Sequence, residues 1–89
     1  MNKHDIFGKL VDLISKVFNE KRKKINVNTK LSDLREIDSL GILTLFMKIE
    51  KQFSIKFTID EIGSVKTIGG LVDGIYSRSS KKRQYDIKK

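Results

Sequence analysis

Residues 36–53 read EIDSLGILTLFMKIEKQF. Two polar residues, Asp38 and Ser39, precede a run that is almost wholly apolar: Leu40, Ile42, Leu43, Leu45, Phe46, Met47 and Ile49. Aspartate is a strong N-cap, because its carboxylate accepts backbone N–H groups that the first helical turn leaves unpaired. Ile37 and Ile42 stand at the N′ and N4 positions of a hydrophobic staple. The stretch therefore predicts a helix that starts at Asp38 and runs to about Gln52. Ile42, Phe46, Ile49 and Phe53 form its apolar stripe, widened by Leu43 and Met47. Phe46 is assigned to the core. An Asp-Ser pair at a helix start is either a cap alone or a cap beside a functional serine, and the pair by itself does not decide.

Upstream, Phe7, Leu10, Val11, Ile14, Val17 and Phe18 follow helical spacing and predict a first helix over 6–20, with Asp5 as its N-cap. The basic run 21–24 suits the negative end of that helix. From Ile25 to Ile37 neither helical nor strand periodicity holds. Ile25, Val27, Leu31, Leu34 and Ile37 are scattered among polar residues, which predicts a long connection pinned along the helices by its apolar side chains.

Downstream, Thr58 followed by Glu61 is a capping box, with Phe57 and Ile62 as its staple, and Gly63-Ser64 predicts an early stop. Thr67 caps a fourth helix carried by Ile68, Leu71, Val72, Ile75 and Tyr76. Gly69, Gly70 and Gly74 lie inside it, and each lowers helix stability by about 1 kcal/mol relative to alanine, so that helix depends on packing. The expected fold is all-α: a small four-helix bundle, three helices longer and one short, with a long loop between helices 1 and 2. Residues 1–77 form the domain, and 78–89 read as a basic tail without regular structure.

The chain has 89 residues, enough for one small domain. It contains no cysteine, which excludes disulfides, thiolate metal sites and thiol catalysis. His4 is the sole histidine, so a histidine-based triad or zinc site is not expected, and no metal site or catalytic residue is assigned. No apolar run is long enough to span a bilayer, and the N-terminus lacks an apolar signal core; a cytoplasmic protein without a membrane partner is the expectation. The net charge of +8 raises the possibility of nucleic-acid binding. Its distribution argues otherwise. The excess lies in Lys21–Lys24 and in the tail, whereas residues 25–77 hold six basic and seven acidic side chains. A basic helical nucleic-acid module would need those charges along one ordered face.

The segment LSDLREIDSLGILTLFMKIEKQFSIKFTIDEI, residues 31–62, resembles the acyl carrier protein family, which includes peptidyl and aminoacyl carriers. The resemblance spans about residues 6–77 and rests on Asp38-Ser39-Leu40 together with Met47, Ile49-Glu50, Phe53-Ser54-Ile55 and the short helix beyond. It implies that Ser39 carries 4′-phosphopantetheine through a phosphodiester. It also implies that Asp38 and Leu40 belong to that attachment site, and that Leu40, Ile42, Met47 and Glu50 face partner proteins. The physical setting suits an anionic group, since residue 39 would be N1 of a helix. By the same resemblance the reactive thiol belongs to the arm, and attachment occurs in a separate phosphopantetheinyl transferase. The missing cysteine and catalytic histidine therefore do not count against the role. The implied function is that of a monomeric stand-alone carrier, not an enzyme, serving acyl- or aminoacyl-loading and downstream biosynthetic enzymes.

Two departures point away from housekeeping fatty-acid synthesis and toward a specialised pathway. Leu34-Arg35-Glu36-Ile37 stands where fatty-acid carriers have a Leu-Gly-x step, one residue shorter. Gly41 and Thr44 occupy usual acidic positions of helix two, and Lys48 and Lys51 are basic, where fatty-acid carriers present acidic residues to basic patches on their enzymes. Of that acidic set, Asp38 and Glu50 remain.

Overall fold

The backbone is described for residues 1–34 and 37–88, and the side chains through residue 79, in a computed structural model. The described residues form four helices, α1 (Lys3–Val17), α2 (Ser39–Phe53), α3 (Ile59–Ser64) and α4 (Ile68–Lys88), with two short 3₁₀ turns between α1 and α2 at Arg22–Lys24 and Leu31–Asp33. Among the described residues, β pairing is limited to one antiparallel bridge between Lys30 and Thr67.

Each helix start follows from local chemistry. Asp38 caps α2, its Oδ1 accepting the Gly41 N–H at 2.7 Å. At α3 both halves of the Thr58–Glu61 capping box are made. Thr67 Oγ1 accepts the Gly70 N–H at 3.1 Å at the start of α4. The first helix differs from expectation. Its N-cap is Asn2, whose Oδ1 accepts the Asp5 N–H at 2.8 Å, so Asp5 lies inside the first turn. Asparagine caps as well as aspartate does, and an acidic residue in the first turn still complements the helix dipole. α1 also stops earlier than expected: Phe18 is its C-cap, and Asn19 takes left-handed backbone (φ 54°), which ends the helix. The basic run lies in the following 3₁₀ turn, from which Arg22 returns to pair with Asp12 on α1.

The core is one apolar cluster. α1 gives Ile6, Leu10, Val11 and Ile14; α2 gives Leu45, Phe46 and Ile49; α4 gives Ile68, Leu71, Val72 and Ile75. The long loop adds Ile25, Leu31 and Leu34, so it is pinned as its scattered apolar residues predict, although Val27 is half exposed. No polar residue is buried among the described residues. Phe46 meets Phe57 edge-on, centroids 5.1 Å apart, an arrangement aromatic quadrupoles favour.

The loop is held against the start of α4 by backbone pairing. Ile68 N–H donates to the Thr29 carbonyl at 2.9 Å, Gly69 N–H to the Val27 carbonyl at 2.8 Å, and Leu31 N–H to the Lys66 carbonyl at 2.9 Å. The first two bonds satisfy N–H groups that the first turn of α4 cannot pair internally, and the third ties the loop to the residue pair before the helix. They also explain one glycine: a Cβ on Gly69 would stand 2.9 Å from the Val27 carbonyl oxygen.

The C-terminal end departs most from expectation. α4 runs through Lys88 where the sequence reads as an unstructured tail from Arg78. Residues beyond Gly74 contain no glycine or proline, and extending an existing helix avoids the unfavourable nucleation step. Arg78 itself belongs to the bundle: it pairs with Glu61 of α3 and stacks over Phe57 at 5.8 Å.

Candidate functional site

Ser39 is the first residue of α2 and is exposed. Its position follows from two restraints. Asp38 fixes the helix start through its bond to Gly41 N–H, and Ile37 and Ile42, both half-buried against the core, hold the entering chain. The backbone N–H groups of the first turn have no intrahelical acceptors, and the positive end of the α2 dipole lies here. An anionic group on the Ser39 oxygen is favoured by both.

Ser39 also lines an open groove of about 550 Å³ between α2, α3 and the long loop. Leu31, Ile42, Leu43, Ile62 and Val65 give the groove an apolar wall, and Lys30 and Lys66 are its charged lining residues. The groove leads apolar surface up to the serine, so a chain tethered there has somewhere to shield itself from water.

The proposed partner-facing residues separate on the structure. Leu40 and Met47 are 72% and 68% exposed and share the outward side of α2. Ile42 is half-buried and faces the groove. Glu50 is half-buried, and its Oε2 accepts the Phe57 N–H at 2.8 Å, so its carboxylate is engaged in holding the α2–α3 connection. The expected stripe of α2 needs one revision: Leu45 is fully buried, while Leu43 and Met47 are exposed. Both sets obey helical spacing, and only packing against α1 and α4 decides which faces inward. Sequence reasoning missed Leu43 as a site residue, although its place four residues after Ser39 puts it one turn along on the same side. It missed Lys30 and Lys66 too, since they reach the site only through the loop fold. Arg35 and Glu36, part of the step before Asp38-Ser39, lie outside the described residues.

A family model described as a phosphopantetheine attachment site matches residues 8–75. The acyl carrier protein of Lactobacillus acidophilus is 30% identical over 77 residues, covering 86% of this chain and 96% of that protein. The chain belongs to the acyl carrier protein family. The acyl carrier protein of Buchnera aphidicola from Schizaphis graminum is 33% identical over 78 residues, covering 88% of this chain and 99% of that protein. In fold, this chain is similar to the holo acyl carrier protein of Geobacter metallireducens, with a TM-score of 0.78 at 24% identity over 88% of this chain and 90% of that one. As in acyl carrier proteins generally, the cofactor is covalent 4′-phosphopantetheine. The residues present fit it: an exposed hydroxyl at a helix N-terminus, an apolar groove beside it, and two lysines among the groove's lining. Among the described residues no group of His, Cys, Asp and Glu could hold a metal, and no helix is long and apolar enough to cross a membrane.

Proposed function

We infer that this carrier holds its arm on Ser39 and shuttles thioester-bound intermediates between enzymes of a specialised biosynthetic pathway in the cytoplasm. The single observation that carries the attachment site is Ser39 itself: an exposed hydroxyl at N1 of α2, on the wall of an apolar groove. Asp38 keeps the helix start in register, so an anion carried on Ser39 would lie at the N-terminus of α2, where the dipole and first-turn N–H groups favour it. The arm, once attached, supplies the thiol on which cargo travels. The chain supplies the anchor, the groove that takes up apolar cargo, and the exposed Leu40 and Met47 that meet partners. The pathway reading is supported by the outward face of α2, which presents Lys48 and Lys51 and no unengaged carboxylate among the described residues.

Incubation with coenzyme A and a broad-specificity phosphopantetheinyl transferase should add one arm by intact mass, and Ser39→Ala should stay unmodified. Addition at another serine, or no addition with several transferases, would remove the basis of the assignment.

A further inference from the structure

Viewed down α2, the buried residues Leu45, Phe46 and Ile49 define one side, and Leu40, Met47 and Lys51 lie near the opposite one. Lys48 flanks this patch, and both lysines are exposed. Neither pairs with a carboxylate among the described residues. The two carboxylates of α2 and its cap each accept one backbone N–H, Asp38 from Gly41 and Glu50 from Phe57, and neither shares the side of the helix that carries Leu40, Met47 and Lys51. Around Ser39 the charged residues lining the groove are Lys30 and Lys66, with no acidic residue in that lining. The patch is thus an apolar centre with Lys48 and Lys51 at its edge, while Ser39 has Lys30 and Lys66 in its groove and the Asp38 carboxylate next to it in the chain.

We propose that this face docks a partner enzyme whose socket is apolar at its centre and acidic at its rim, the opposite charge sense from the basic patches that serve fatty-acid carriers. The proposal rests on the carrier reading and names the partner that reading requires. Charge complementarity selects the occupant. Opposite rim charges speed encounter and like charges reject wrong partners. A second copy of this chain is disfavoured, because a two-fold contact through this face would bring two lysine-edged patches of like charge together. Nucleic acid is disfavoured by the exposed Leu40 and Met47 at the centre, which a phosphate backbone would leave wet.

The test is an NMR titration of the unmodified protein with two forms of one fatty-acid-pathway malonyl transferase. One form keeps its basic docking patch; in the other the patch lysines and arginines are changed to glutamate. At low salt the acidic form should bind about tenfold more tightly, with shifts centred on Leu40, Met47 and Lys48. The difference should fade near 1 M salt, where the screening length is about 3 Å. Lys48→Glu with Lys51→Glu, both on exposed positions, should reverse the preference. Equal or tighter binding of the basic form, shifts on another face, or no response to the double substitution would overturn the proposal. So would a dimer in sedimentation, or tighter binding to a short DNA duplex than to the acidic form. Because the titration needs no arm, it reads docking independently of Ser39; a serine that takes no arm in the transferase assay would instead overturn the carrier reading.

Discussion

Gly8 and Gly69 are chemically identical and should respond oppositely to alanine. Gly8 lies inside α1, where a Cβ would meet nothing within 4 Å. Gly8→Ala should stabilise the protein by about 1 kcal/mol, the helix-propensity difference. Gly69 lies in the first turn of α4, and its Cβ would press on the Val27 carbonyl at 2.9 Å, the same oxygen that accepts the Gly69 N–H. The neighbour is backbone, so it yields only by shifting the loop. Gly69→Ala should therefore lower the unfolding midpoint despite its better propensity, as thermal unfolding of both variants would show. A stabilising Gly69→Ala would mean that the loop does not lie on α4 as described. From sequence alone, the three glycines of the fourth helix predict only a dependence on packing. Their neighbours differ, with Gly69 against loop backbone and Gly74 against the Phe57 ring, and neither contact has a local signature in the sequence.

At the level of elements, α2 has two apolar faces with different tasks. Leu45 is fully buried, and Leu45→Ala should destabilise by about 2–5 kcal/mol, through lost transfer energy and the cavity left behind. Met47, 68% exposed, should cost less than about 0.5 kcal/mol when changed to alanine. Denaturant unfolding of the pair separates the faces: similar losses would contradict the orientation of α2. The start of this helix, its length and its cap were legible in Asp38 and the run that follows, because capping depends on neighbours within one turn. Its rotation was not fully legible, since Leu40, Leu43 and Met47 offer a second apolar stripe at helical spacing. Glu50 shows the same limit. An acidic residue near a helix end reads as surface, and only the returning connection brings the Phe57 N–H to its carboxylate.

For the whole molecule, the expectation is that the bundle holds without the basic extension of α4. Among the described residues, Ile75 is the last fully buried side chain of α4, and Arg78 is the last whose side chain ties α4 to another element. Removing residues 80–89 should leave the unfolding midpoint and arm attachment nearly unchanged. Removing 78–89 should lower stability by a further amount of at most about 1 kcal/mol, because the Arg78–Glu61 pair is partly exposed and adds only a modest contribution beside its stack on Phe57. Thermal melts of the two truncated chains decide. A large fall for the shorter truncation would show that the extension packs on the bundle.

The sequence by itself determined the four helices, the three caps at Asp38, Thr58 and Thr67, and the pattern around Ser39, because each depends on side chains within a few residues of one another. Those signals were sufficient for the fold class and for the resemblance to carriers. Tertiary structure alone decided which face of α2 is core, why Gly69 must lack a side chain, and that Lys30 and Lys66 share a groove with Ser39. It also decided that Arg78 belongs to the bundle. All of these arise where segments distant in sequence meet, helix against helix or loop against helix, and such contacts are set by the packing of the whole core, which no local window of residues contains.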